Sequence, residues 1–241
     1  MPRSPFTPLG LQHLVAAGAA IGGSVALAWA VRAARSPRLD RVARWALALA
    51  CLAFEAVTLG VGAAEGQAPI THYLPLHLCD VSILIAPVAL LTANRTAYEL
   101  LYFWGIGGAL QALATPTLFS GFPALVCIAF FVGHGLILAS ALYATFVMRL
   151  RPTLGSAARA WLLMNAYGLL ILPLNYLTGT NYLFIMRKPA TPSLLDLMGP
   201  WPWYLATAEA VAAVVIFLCY LPYLVADLRA GTPPRPSGGQ P

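Results

Sequence analysis

The residues whose types and spacing favour catalysis lie at the start of one apolar segment. His77, Cys79 and Asp80 fall within four positions of a chain in which 60% of residues are hydrophobic and only 9% are charged. An ionisable side chain inside a bilayer costs about 2.5 kcal/mol or more, so such groups usually mark a functional site. The cluster therefore predicts a site in which a thiol, an imidazole and a carboxylate act together.

A thiol in an apolar environment is inert until a base or a positive partner converts it to a thiolate. His134 is the second strong candidate, because glycines on both sides of it thin the helix and let another backbone or a lipid chain approach the imidazole. We expect Cys79 to act as nucleophile and His134 as general base and then acid, with Asp80 or Glu209 orienting the imidazole.

Other polar side chains within or beside the apolar runs are candidates for orienting groups or for donors to a developing oxyanion. For Gln111 and Asn175 there is a simpler interpretation, as hydrogen-bonding links between helices that contribute about 0.6 kcal/mol each. Glu55 and Glu209 have a similar alternative interpretation, as protonated acids with a structural role. The further candidates are His77, Gln111, Asn175 and Asn181.

The apolar runs predict an all-α, polytopic membrane protein, because windows of about 20 apolar residues are long enough to cross the hydrocarbon core. We expect a bundle of seven transmembrane helices. The predicted spans are residues 9–31, 42–64, 74–92, 98–115, 123–148, 157–178 and 202–226. A soluble domain of 241 residues would carry more charge on its surface.

The distribution of basic residues predicts the orientation of the bundle. Eleven of the fourteen Lys and Arg residues fall on one side of the predicted spans, which leaves Arg3, Arg187 and Lys188 on the other. The positive-inside rule then places the N-terminus outside and the C-terminus in the cytoplasm. The formal charge of +6 needs no nucleic-acid partner, because the arginines lie between the apolar runs.

The segments outside the spans suggest two further features. Residues 1–228 form one transmembrane domain, and residues 229–241, whose end is rich in Gly and Pro, are expected to be a disordered cytoplasmic tail. The outer loop 179–201 is too apolar for a solvated loop, so it is expected to fold back as a re-entrant cap. The four cysteines lack the spacing of a disulfide framework or a CxxC motif.

Several short motifs together resemble the bacterial YwaF-like integral membrane proteins, which are related to eukaryotic transmembrane protein 164. The resemblance covers about residues 70–225. Its motifs are His77-Leu78-Cys79-Asp80, Glu99 to Gly105, Gln111-Ala112-Leu113 with Thr115-Pro116, His134-Gly135, Asn165-Ala166-Tyr167, Gly179 to Tyr182, Lys188-Pro189 and Gly199 to Tyr204.

The resemblance implies an acyltransferase that moves a fatty acyl chain between a phospholipid and a lysophospholipid through a membrane cysteine. On this sequence the family's cysteine corresponds to Cys79 and its histidine to His134. It implies no cofactor and places the protein in the bacterial cytoplasmic membrane. Whether the acyl group passes to a lysolipid or to water depends on how dry the cavity is, so a lipid hydrolase stays open.

Two other classes stay open from the residues alone. A zinc-dependent intramembrane hydrolase would draw its ligands from His72, His77, Cys79, Asp80 and His134, although their spacing matches no zinc motif. A transporter or receptor is the other alternative. However, we find no repeat of the kind that transporters show, and the one lysine, Lys188, lies outside the spans, which excludes a buried retinal Schiff base.

Overall fold

The computed structural model describes residues 5–66 and 68–231, and within them the fold is almost entirely helical. A single isolated bridge between Pro5 and Ser120 is the one β feature of this part of the chain. The α-helices are α1 Leu11–Ala34, α2 Pro37–Glu65, α3 Leu78–Thr92, α4 Arg95–Leu100, α5 Gly107–Ala114, α6 Leu125–Phe146, α7 Leu154–Thr178 and α8 Trp203–Arg229.

Five of these helices (α1, α2, α6, α7 and α8) are long and apolar enough to cross a membrane, among the residues described. The predicted all-helical membrane protein is therefore confirmed, and five of its seven spans are found as long apolar helices. The predicted third span corresponds to α3, whose 15 residues extend only about 22 Å. The predicted fourth span is a compound helix, because a π-helical turn, Leu101–Ile106, joins α4 to α5.

Helix ends follow local sequence signals more closely than hydropathy. The helix α2 begins at Pro37, five residues before the predicted span, because Ser36 caps it by accepting a hydrogen bond from the backbone N–H of Leu39 at 3.3 Å. An ion pair between Asp40 and Arg44, at 2.6 Å, stabilises this polar first turn. The helix α7 ends at Thr178, and Gly179, which follows it, has a φ of 71° that favours glycine.

The compound helix of residues 95–114 lies at the centre of the bundle. Its π-helical turn is almost fully buried, and the indole N–H of Trp104 donates to the backbone oxygen of Ala160 in α7 at 3.0 Å. The Tyr102 hydroxyl donates to the backbone oxygen of Cys219 in α8 at 2.9 Å. A Cβ at Gly105 would lie 2.9 Å from the Ile137 side chain, so glycine allows α6 to approach this helix closely.

At one end of the bundle, basic side chains link the helices to one another. Arg95 and Arg159 both contact the buried carboxylate of Glu99, at 3.0 and 3.4 Å. Arg151 pairs with Asp227 at 2.5 Å, which links the start of α7 to the end of α8. The helices therefore meet at this end through charge as well as through apolar packing.

The opposite end is covered by the segment between α7 and α8, which we call the outer loop (residues 179–202). It contains two short 3₁₀ helices, Tyr182–Phe184 and Leu194–Met198. The outer loop packs against the start of α3 rather than extending away from the bundle. In the predicted tail, Arg229 is the last residue of α8, and residues 230–231 follow the helix. Residues 232–241 lie outside the described residues.

Candidate functional site

Asp80 connects the start of α3 to the candidate nucleophile. Its Oδ2 accepts a hydrogen bond from the backbone N–H of His77 at 3.0 Å, which caps the first turn of the helix. Its Oδ1 accepts one from the Cys79 thiol at 3.5 Å. One carboxylate therefore both holds the helix end and contacts the sulfur.

His134 lies in the middle of α6, with one ring nitrogen already occupied. Its Nδ1 lies 2.7 Å from the backbone oxygen of Phe130. Because a carbonyl oxygen only accepts hydrogen bonds, Nδ1 carries the proton and Nε2 presents a lone pair. The imidazole also interacts electrostatically with Asp80 on the neighbouring helix α3, which packs against α6.

The glycines beside His134 allow neighbouring helices to pack closely against α6. A Cβ at Gly133 would lie 2.7 Å from the ring of Phe54 in α2. A Cβ at Gly135 would lie 3.5 Å from Ala20 in α1, which is an ordinary contact. The neighbours that approach this part of α6 are therefore two other helices of the bundle.

A polar pocket of about 160 Å³ lies against Asp80. Glu55 reaches it from α2 and interacts electrostatically with Asp80. The Glu55 side chain is buried, and its Oε1 has no hydrogen-bond partner. The other lining residues are Thr58, His72, Tyr73, Leu74, Pro75, His77 and Tyr182.

The outer loop forms one side of this pocket through Tyr182. The His77 ring packs against the rings of Tyr182 and Phe184, with centroids 5.2 and 5.3 Å away. The backbone N–H of Leu183 lies 3.4 Å from His77 Nδ1, and the Tyr182 hydroxyl donates to the backbone oxygen of Thr71. Burial raises the pKa of the Tyr182 phenol, which therefore stays a neutral donor.

Asn175 and Asn181 hold the outer loop in place. The buried Asn175 amide donates to the backbone oxygen of Tyr182 at 2.9 Å and accepts from its N–H at the same distance. Asn181 accepts from the backbone N–H groups of Met186 and Arg187, both at 3.1 Å. Both side chains, proposed from the sequence as oxyanion donors, are committed to loop contacts.

Two further residues singled out in the sequence have other partners. Glu209 in α8 accepts a hydrogen bond from Asn165 in α7 at 3.0 Å, so it links those two helices. Gln111 is exposed and donates to Thr115 within its own helix end at 2.9 Å. Of the two acids predicted to orient His134, Asp80 is therefore the one that interacts electrostatically with it. Glu55 lines the same pocket as Asp80, and the sequence did not reveal this.

Within residues 5–66 and 68–231, no group of three or more His, Cys, Asp or Glu side chains is arranged to hold a metal ion. The zinc alternative drew on His72, His77, Cys79, Asp80 and His134, and among the described residues these side chains do not form such a group. The contacts of Asp80 with a thiol and a backbone N–H are those of a hydrogen-bonded carboxylate.

A second, larger cavity is almost entirely apolar. It measures about 670 Å³ and lies between α1, α2 and α6. Val132 and Gly135, which lie on either side of His134 in sequence, contribute to its wall, together with Ala16, Ala20 and Leu47. Its size and lining suit a hydrocarbon chain.

The comparisons with known proteins place the chain in a family. No curated protein and no solved structure matches it. A model of the TMEM164 family matches residues 8–220, which include every candidate residue of the site. The chain therefore belongs to the TMEM164 family.

Proposed function

We propose that this protein transfers a fatty acyl group from a phospholipid to a lysophospholipid through a thioester on Cys79. The observation that carries the proposal is the position of Asp80, which contacts the Cys79 thiol at 3.5 Å and interacts electrostatically with His134. A nucleophile, a carboxylate and an imidazole with an open nitrogen are the groups that covalent acyl transfer requires.

In the first half of the reaction, the Cys79 sulfur attacks the ester carbonyl carbon of the donor. The thiol proton leaves through Asp80 to Nε2 of His134, which has no hydrogen-bond partner in the described structure. The carbon–oxygen bond of the ester then breaks, and the lysolipid departs with the proton from His134. The acyl group stays on the sulfur.

In the second half, the hydroxyl of an acceptor attacks the thioester, and the sulfur leaves as a thiol. A lysophospholipid acceptor gives a transferase, and water gives a hydrolase. The apolar cavity between α1, α2 and α6 offers space for an acyl chain. A transferase additionally requires that water is excluded from the thioester on Cys79.

We also propose a membrane topology that is consistent with this function. In it α3 and the compound helix of residues 95–114 also cross the bilayer, which makes seven spans. The end carrying Arg95, Arg151 and Arg159 faces the cytoplasm, and the site faces outward. The apolar character of α3 supports its insertion, and its length of about 22 Å implies local thinning of the bilayer. The membrane proposed is the bacterial cytoplasmic membrane.

The test is acyl capture by purified protein in vesicles that contain a phospholipid with a labelled acyl chain. We expect label on the wild-type protein that hydroxylamine releases, and none on Cys79→Ala. Cys219→Ala is a matched control, because Cys219 is also half-buried and lies in α8 with its backbone oxygen bonded to Tyr102. Equal capture by Cys79→Ala and the wild type would refute the proposed mechanism.

A further inference from the structure

The polar pocket beside Asp80 contains a buried acceptor that the fold leaves unused. Glu55 is 8% exposed, and its Oε1 is without a hydrogen-bond partner. Among the described residues that line the pocket, Glu55 alone contributes such an atom. An unpaired buried acceptor costs free energy in the folded protein, so it indicates a group that is satisfied at another stage of the protein's work.

The chemistry of the pocket defines what would satisfy this oxygen. The partner must supply a hydrogen-bond donor, since a carboxylate only accepts. The volume of about 160 Å³ holds a small polar group, whereas the 670 Å³ apolar cavity is the space that suits a chain. The thiol of Cys79 donates to Asp80, which also lines this pocket, so a donor bound here lies beside the carboxylate that contacts the sulfur.

We propose that the pocket binds the hydroxyl of the acceptor, and that Glu55 accepts its proton when the thioester is resolved. This inference rests on the proposed thioester at Cys79. It assigns the two halves of the reaction to different bases: His134 serves the capture of the acyl group, and Glu55 serves its release.

The resolving step balances as follows. The acceptor oxygen forms a bond to the thioester carbonyl carbon while its O–H bond breaks and the proton goes to Glu55. The carbon–sulfur bond then breaks, and the electron pair stays on the sulfur. Asp80 lines the same pocket as Glu55 and contacts the Cys79 thiol, so the proton returns to the sulfur through Asp80. The products are an ester and the free thiol.

The experiment separates capture from release in one preparation. Purified protein in vesicles first receives a phosphatidylglycerol with a labelled acyl chain, and protein-bound label is measured. Lysophosphatidylglycerol is then added, or buffer alone, and the loss of protein-bound label is followed. The two arms distinguish a lipid hydroxyl from water as the acceptor.

We expect Glu55→Gln to capture label as the wild type does and to release it at least about 100-fold more slowly, which is the scale of a lost general base. Thioester would therefore accumulate on this variant. Thr58→Leu keeps the carboxylate but fills the pocket from one turn further along α2. We expect it to capture normally and to release about 10-fold or more slowly, and it carries the test if Glu55→Gln does not fold.

Three results overturn the inference. Release within threefold of the wild type in the folded variants would show that neither the carboxylate nor the pocket serves the acceptor. Loss of capture together with release in Glu55→Gln would assign Glu55 to the first half-reaction instead. Unchanged capture by Cys79→Ala would remove the thioester itself, and so refute the proposed function rather than the role of Glu55 alone.

Discussion

Asp80→Asn separates the two roles that the structure gives to one carboxylate. Through Oδ2 the side chain caps α3 at His77, and through Oδ1 it contacts the Cys79 thiol. Asparagine has nearly the same shape and keeps one oxygen acceptor for the backbone N–H. It removes the negative charge that faces both the thiol and His134. The substitution therefore preserves the fold of the helix end and removes its chemistry.

The two effects differ widely in size. Losing a helix cap altogether costs about 1 kcal/mol, and asparagine retains most of this energy, so the free energy of unfolding should fall by less than about 0.5 kcal/mol. Acyl transfer should fall by about 10²–10⁴-fold, the range expected when a positioned acid–base group is lost. Asp80→Ala should show the same loss of activity and, in addition, the full cost of the missing cap.

The assay compares transfer rates with thermal unfolding of the same detergent-purified samples. Asp196→Asn is the matched control, because Asp196 caps the 3₁₀ helix Leu194–Met198 in the same way. Its Oδ2 accepts from the backbone N–H of Ser193 at 2.7 Å, in an exposed turn that does not line the pocket. We expect this control to leave the transfer rate unchanged. A capping role alone would make Asp80→Asn behave like Asp196→Asn, and transfer within threefold of the wild type would refute a chemical role for Asp80.

Three further substitutions test the packing around the site. Gly133→Ala places a Cβ 2.7 Å from the Phe54 ring, so we expect overpacking of about 1–3 kcal/mol, partly offset by about 1 kcal/mol of helix propensity, and a lower transfer rate. Gly135→Ala, with a nearest contact of 3.5 Å, should keep the wild-type rate and unfolding temperature, and equal behaviour of the two variants would contradict this account. Asn175→Ala leaves the buried N–H and C=O of Tyr182 unpaired, so we expect it to lower the free energy of unfolding by about 2–4 kcal/mol. Trypsin should then cleave the outer loop faster than in the wild type. Unchanged cleavage would show that Asn175 does not hold the outer loop in place.

The sequence predicts the long helices well because their apolar runs match the thickness of a bilayer. The expected span 157–178 ends where α7 ends, and the span 123–148 encloses α6 with two extra residues on each side. Hydropathy does not predict the end of a helix correctly where the terminal helical residues are polar. Residues 37–41 belong to α2 because a serine cap and an ion pair stabilise that turn, and neither raises the hydropathy of a window.

The site is predictable only where its residues are neighbours in the chain. His77, Cys79 and Asp80 share the first turn of α3, so their spacing brings them together. Glu55 lies on another helix, and its position beside Asp80 depends on how α2 packs against α3. An acid in an apolar run signals a function, but it does not identify the partner. The amides of Asn175 and Asn181 give a similar signal in sequence, and the structure uses them to hold the outer loop.

Through its two hydrogen bonds, Asp80 links the structure of this end of the bundle to the environment of the Cys79 thiol. Asp80 Oδ2 caps α3 by accepting from the His77 backbone N–H, and in the same geometry Oδ1 accepts from the Cys79 thiol. The His77 ring is in turn packed against Tyr182 and Phe184 of the outer loop. A shift of the outer loop would therefore move the cap of α3 and, with it, the carboxylate.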